Sequence, residues 1–263
     1  MARVKAVLID IDGVLTVSWR ALPGAVAAMA RLRQSDVGIR LVTNTTSRTR
    51  AWMATRLSAL GFPVHPEDIL TAPGLTAHFL HEAYPGARCM VINSGDLSND
   101  LRGLTVVTGD KDDVDVVVLG GAGPELDYAM MNRIFHHVQR GAALVAMNRN
   151  YYWATDAGLT LDTGTFLVGI EQASGVAATM TGKPAPTFFT SALAHVDADA
   201  TTTLMVGDDV DSDVVGAQEA GIRGVLVKTG KYLPRDHDKA ALPPDFVIDS
   251  FADLPDLVEK LNA

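Results

Sequence analysis

The chain of 263 residues has a single cysteine, Cys89. A lone thiol excludes an internal disulfide and any cysteine-based zinc cluster. Cys89 opens an apolar run and reads as a small buried hydrophobe. Positive charge is also scarce: 22 Lys and Arg stand against 31 Asp and Glu, for a net charge of −9 and a pI near 5.1. No Lys/Arg-rich run is present, so neither a nucleic-acid backbone nor an anionic lipid surface is an expected partner. No apolar run approaches the roughly eighteen residues that a membrane helix needs. The N-terminal MARVKAVLID turns acidic before a signal-length stretch forms, and the expected location is the cytoplasm. Internal repeats and low-complexity tracts are missing as well.

What remains is a globular composition, 48% hydrophobic and 20% charged, in which short apolar runs alternate with helical patterns. Strands are expected at Val4–Ile9, Ile39–Thr43, Cys89–Ile92, Val114–Leu119, Ala143–Met147, Thr203–Val206, Gly224–Val227 and Phe246–Ile248. Several are unbroken Val/Ile/Leu runs, as in strands covered on both faces. Helical spacing is plain at Leu254, Leu257, Val258 and Leu261, at Phe188, Phe189, Ala192, Leu193 and Val196, and at Leu126, Met130, Ile134 and Val138. The alternation predicts an α/β fold with a doubly wound parallel sheet. Pro and Gly at Thr71–Gly74 and Met180–Pro184 suggest hinges. The expected organisation is therefore a core of 1–72 and 181–263 with a smaller α/β unit, 73–180, inserted into it.

Four polar clusters follow or adjoin apolar strands outside that middle segment: Asp10 with Asp12; Thr43 to Ser47; Gly182-Lys183-Pro184; and Gly207-Asp208-Asp209 with Asp211 and Asp213. Each has a bland counterpart. The Asp pair and the Thr43–Ser47 run could cap helices, the later acids could sit in a first helical turn, and Lys183 could be solvated. Together they fit phosphoryl transfer through an aspartyl intermediate, which needs a carboxylate nucleophile, a second acid, a cation and hydroxyl donors. A carboxylate approaching a phosphate dianion meets repulsion of about 4 kcal/mol per charge pair at 4 Å and an effective dielectric of 20. Oxygen ligands suited to Mg²⁺ would relieve it.

Asp10-Ile11-Asp12-Gly13-Val14-Leu15, Thr43-Asn44, Gly182-Lys183-Pro184 and Gly207-Asp208-Asp209 with Asp213 resemble the four motifs of the haloacid dehalogenase superfamily. The long insertion between the second and third motifs resembles the C2-type cap of subfamily IIA, which holds the NagD-like and 4-nitrophenyl phosphatase-like proteins. Thr165 to Glu171, Thr181 to Pro184 with Phe188-Phe189, and Leu226 to Tyr232 are similar to the branch of the phospholysine phosphohistidine inorganic pyrophosphate phosphatases. The resemblance implies a Rossmann-like core, an inserted α/β cap and a Mg²⁺-dependent phosphatase acting on a small phosphomonoester, with pyrophosphate and phosphoamino acids as further members of the substrate class. It implies Asp10 as nucleophile and Asp12 as general acid, then base. It places Thr43, the Asn44 backbone and Lys183 on the phosphoryl group. Mg²⁺ would rest on Asp10, the Asp12 main-chain carbonyl and Asp208, supported by Asp209 and Asp213. An acid at Asp12 argues for phosphoester hydrolysis over carbon–halogen cleavage.

The resemblance also implies that the cap covers the site, and that the loop Met147 to Trp153 helps choose the substrate through Asn148, Arg149 and Asn150. Arg149 is open to two readings, a contact with a second anionic group or a solvated side chain; Tyr151 and Tyr152 read as cap packing. The branch commonly carries a His-Lys-Ala-Arg run before its paired tyrosines, where this chain has Asn148-Arg149-Asn150, so phosphohistidine and pyrophosphate specificity does not transfer. Two other classes compete: a phosphoryl-storing signalling module, which Asp12 and the cap argue against, and a catalytically silent scaffold that pairs through its cap. A homodimer through the cap is compatible with an enzyme too. His136-His137 and His78/His81 lack a third ligand at metal spacing, and the acidic stretch from Gly109 to Asp115 reads as a solvent-facing turn.

Overall fold

The computed structural model describes residues 2–109, 113–155 and 158–263. The chain divides into two compact units: Met1–Thr43, Arg50–Leu70 and Lys183–Ala263 form the first, and Asn44–Thr49 with Thr71–Gly182 form the second.

The first unit is built on a six-stranded sheet in the order Phe246–Ile248, Arg223–Val227, Thr203–Gly207, Ala6–Asp10, Gly38–Thr43, Ile69–Thr71. The pairings from Phe246–Ile248 through Gly38–Thr43 are all parallel. Ala6–Asp10 lies inside the sheet and every residue in it is buried, which is why it reads as one apolar run. Alternate residues Val7 and Ile9 point to one face. There they share a core with Leu41, Leu204, Val206, Val225 and Val227 and with the helical residues Met29, Leu32, Met53, Leu57 and Val258. Each fully buried Val or Leu contributes about 1.5–3 kcal/mol.

The second unit has its own sheet, Thr179–Met180, Ala143–Ala146, Val116–Leu119, Arg88–Ile92 and Thr105–Val106 in that order, with all pairings parallel. Both faces are covered. Val117 and Leu119 pack with Ile134, Val138, Leu167 and Ile170 of two helices, while Val116 and Val118 pack with Cys89, Ala77 and Leu80. Cys89 is fully buried. An antiparallel hairpin, Tyr152–Thr155 with Gly158–Leu161, adjoins this layer in sequence.

One expectation differs from the structure. The expected core segment 1–72 included Asn44–Thr49, but these residues pack with the second unit: Asn93 donates from Nδ2 to the Thr46 carbonyl at 3.0 Å. The division between the units falls at Thr71, beside the Pro-Gly pair, where a helix also starts. Thr71 caps Ala72–Ala83 by accepting from the Gly74 N–H at 3.1 Å, with Pro73 in the first turn, where a missing N–H costs nothing. Of the acidic stretch expected as a solvent-facing turn, residues 110–112 lie outside the described residues. Asp113 and Asp115 pair with Arg88.

Candidate active site

The site of the first unit grows from three neighbouring strand ends. Asp10 ends the buried strand and pairs in register with Val42, so Thr43 follows at the same carboxyl edge. On the other side Ile9 pairs with Val206, and Asp208 leaves that strand one residue after Gly207. The carboxyl edge of an open parallel sheet is where such folds hold ligands. Lys183 lies in the loop before the helix Pro186–Ala194. It is buried, and its Nζ donates to Asp10 Oδ1 and to Asp213 Oδ1, both at 2.6 Å. Asp10, Asp208 and Asp213 each offer a carboxylate oxygen within 4.8 Å of the others. Among the described residues no other group of three His, Cys, Asp or Glu side chains has this arrangement.

Burial sets the charge balance. It pushes the Asp10 carboxyl up, with Lys183 opposing. Burial and then the neighbouring Asp10 and Asp213 carboxylates push Asp208 well above the usual range. Asp213 is pushed up to about 7 by burial, against the pull of Lys183. Burial works against the Lys183 ammonium, yet Asp10 and Asp213 outweigh it and hold its pKa above the ordinary value. Three buried carboxylates around one buried ammonium leave excess negative charge, which a hard divalent cation would neutralise. The all-oxygen donor set fits Mg²⁺.

The acidic turn after the third strand separates its members by role. Asp209 accepts from the Ser212 N–H at 3.0 Å and caps a wide π-type turn, Val210–Val215. That turn brings Asp213 back to Lys183. Local widening of this kind recurs at functional sites. Asp12 is solvent-exposed on one side, while surrounding protein desolvates its carboxyl and raises its pKa, opposed by the charge of Lys231 and the Ser18 backbone.

The stretch Leu226–Tyr232, whose residue types announce no role, closes on the acidic cluster. Lys231 donates its main-chain N–H to Asp208 Oδ2 at 2.6 Å, and Thr229 Oγ1 donates to the Gly13 carbonyl at 2.5 Å. Gly13 and Gly230 both hold positive φ, +91° and +59°, and a Cβ on either would collide with the Asp208 carboxylate. These glycines let two turns close on one carboxylate. The residue types of these turns give no hint of it, because the contacts run through a main-chain N–H and a main-chain carbonyl.

The remaining expected residues fall within the second unit. Asn44 places its Oδ1 beside Gly182. Asn148 is buried and accepts from the Asn150 N–H at 3.1 Å. Arg149 is half-buried and pairs with Glu171 in a bidentate contact at 2.7 and 2.6 Å. That pair holds Glu171 below the usual carboxylate range. Tyr151 and Tyr152 were expected as packing residues, but both are more than half exposed. They sit at the start of a two-stranded hairpin, where Tyr152 pairs with the equally exposed Leu161.

The profile of the family described as haloacid dehalogenase-like hydrolase matches residues 7–106, and one described as HAD-hydrolase-like matches 180–254. Haloacid dehalogenase-like hydrolase domain-containing protein 2 of Bos taurus is 36% identical over 94% of this chain and 93% of its own length. Phospholysine phosphohistidine inorganic pyrophosphate phosphatase of Mus musculus is 34% identical over 98% and 95%. Among solved structures, p-nitrophenyl phosphatase from Archaeoglobus fulgidus superimposes with a TM-score of 0.89 at 28% identity, covering 97% of this chain and 100% of that one. Glycerol phosphate phosphatase from Mycobacterium tuberculosis, in complex with magnesium, does so with 0.85 at 30% identity, covering 96% and 76%.

Proposed function

The chain belongs to the haloacid dehalogenase-like hydrolases, subfamily IIA, and from that premise we propose that it is a Mg²⁺-dependent phosphatase acting on small phosphomonoesters through an aspartyl phosphate. The observation that carries the reading is the buried cluster of Asp10, Lys183, Asp213 and Asp208 at one strand edge. Asp10 attacks phosphorus: an Asp10 oxygen–phosphorus bond forms as the bond to the leaving oxygen breaks. Asp12 gives that oxygen its proton, and its raised pKa suits the task. Water then attacks the aspartyl phosphate, Asp12 takes the proton back, and inorganic phosphate leaves with Asp10 restored.

Lys183 fixes the Asp10 carboxylate in one orientation and lends positive charge where phosphoryl oxygens gather negative charge. The Thr43 hydroxyl and the peptide that follows it donate to the same oxygens. Asp10, Asp208 and the Asp12 main-chain carbonyl are the groups suited to hold Mg²⁺, with Asp213 supporting through Lys183. Bound there, the ion would offset repulsion between nucleophile and phosphate. Asp12 separates this reading from a module that merely stores a phosphoryl group, since storage needs no second acid.

The test is turnover of 4-nitrophenyl phosphate. Asp10→Asn should reduce kcat by at least about a thousandfold with the fold retained. Chelation should stop the wild type and added Mg²⁺ should restore it. Turnover by Asp10→Asn, or turnover indifferent to chelation, would overturn the reading.

A further inference from the structure

Two consecutive non-glycine residues, Ser18 and Trp19, hold positive φ, 49° and 58°. They form the turn of a short hairpin, Thr16–Val17 with Arg20–Ala21, in which Val17 pairs with Arg20. A two-residue turn with both φ values positive matches the twist of the strands, and Asn-Gly is its usual occupant. A serine followed by an indole carries backbone strain there, and such strain persists only where the surroundings over-determine it. Two outward contacts do so, both from the helix Arg50–Ala59. The Trp19 ring meets Trp52 edge to face, with centroids 4.8 Å apart and planes at 85°. Arg56, one turn further along, donates from Nη2 to the Trp19 carbonyl at 3.2 Å.

Inward, the same hairpin is tied to the turn that carries Asp12. The Gly13 N–H donates to the Thr16 carbonyl at 2.6 Å, and the Asp12 and Thr16 backbones form a bridge. The Ser18 backbone also lies beside the Asp12 carboxyl, where it favours the charged form. A chain of contacts therefore runs from an aromatic pair on the surface of one helix to the backbone that carries the acid. Relaxing the turn would loosen the Asp12–Thr16 bridge and let the carboxyl it carries drift.

We propose that the Ser18–Trp19 turn, latched by Trp52 and Arg56, is the device that aims the Asp12 carboxyl at the leaving oxygen. This rests on the phosphatase reading above. Trp19, Trp52 and Arg56 are positioning residues, acting on Asp12 through the hairpin and its bridge from Thr16. Loosening them should weaken proton delivery to the leaving group more than it weakens attack by Asp10. The effect is then largest where the leaving group most needs a proton.

The experiment compares kcat/KM for 4-nitrophenyl phosphate, whose leaving group departs readily as an anion, with phenyl phosphate, whose phenolate needs the proton more. In Trp19→Ala and in Trp52→Ala, phenyl phosphate should lose about tenfold and 4-nitrophenyl phosphate less than about threefold. Trp19→Phe, which keeps a ring against Trp52, should recover most of the loss. The near-ultraviolet circular dichroism of the paired indoles should fall in both alanine variants, whether or not substrate or metal is present. Equal losses on both esters, no loss on either, or an unchanged near-ultraviolet signal would overturn the latch. Trp52 is 39% exposed on its helix, so Trp52→Ala decides the matter even where Trp19→Ala fails to fold. A wild type inert toward both esters would instead bring down the phosphatase reading on which the latch depends.

Discussion

Replacing Lys183 by Met removes one buried ammonium from between two buried carboxylates and keeps much of the side chain's volume. At 2.6 Å and an effective dielectric of about 20, each of the two ion pairs is worth about 6 kcal/mol of attraction. Most of that is offset by the cost of bringing three charges out of water. Removing one partner of such a set typically destabilises by about 3–5 kcal/mol. The loss should depend on pH in a definite sense. Carboxylates whose folded pKa is raised bind more protons folded than unfolded, so their contribution is favourable at low pH and is lost as pH rises through the folded value. Asp213 already sits at about 7 with Lys183 present. Without the ammonium, Asp10 and Asp213 move higher and keep their protons in mild acid, where the variant has little left to lose.

Urea denaturation followed by circular dichroism, in chelator and at about pH 5 and about pH 8, measures this directly. Lys183→Met should lose about 3–5 kcal/mol near pH 8 and distinctly less near pH 5. Its kcat should fall by about 10²–10³ where one positioned charge donor is lost. A variant as stable as the wild type near pH 8, or one hurt more in acid than in base, would refute the electrostatic account of the cluster.

Two further outcomes follow from the second unit. Glu171→Gln breaks the bidentate pair with Arg149 and weakens the contact from the Ala178 N–H. Arg149 is partly exposed, so the loss at neutral pH should be about 1–2 kcal/mol. Because the Glu171 pKa is lowered in the fold, its contribution is present above the ordinary value and disappears as pH falls through the folded one; thermal midpoints across an acid titration check this. Burial first, then Arg133 and Arg140, press the His137 imidazole below its ordinary value. The unfolded chain therefore binds a proton near pH 6.5 that the folded one refuses, and stability falls as pH drops below that point. His137→Gln should flatten that part of the stability curve; an unchanged slope would contradict the assignment.

How much of this was legible in the sequence depends on the length of the signal. Ala6–Asp10, Gly38–Thr43 and Val116–Leu119 announce themselves because strands covered on both faces must be apolar throughout. Thr105–Val106, Thr179–Met180 and Thr16–Val17 do not, since two residues show no period. Thr71 to Gly74 reads as a boundary because Pro and Gly punctuate the chain, but the same residues, Thr at a cap with Pro in the first turn, also start a helix there, which the boundary signal alone does not tell. Asp10 and Lys183 are 173 residues apart. Their roles were readable only through the family resemblance, since nothing local links them. Which acid of the Asp208–Asp213 run faces Lys183 was hidden, because the widened turn that decides it leaves no mark in residue type. Lys231 and Thr229 act through a main-chain N–H and a hydroxyl aimed at a glycine carbonyl. Such contacts exist only after the chain has folded.

The central claim is that Asp10 takes the phosphoryl group. Asp12→Asn should let the nucleophile react while slowing discharge, so acid-quenching that variant with 4-nitrophenyl phosphate and Mg²⁺, followed by peptide mapping by mass spectrometry, tests it most directly. The account predicts phosphate on the peptide that holds Asp10, at that residue. Product release with no labelled peptide, or a label on any other side chain, would contradict it.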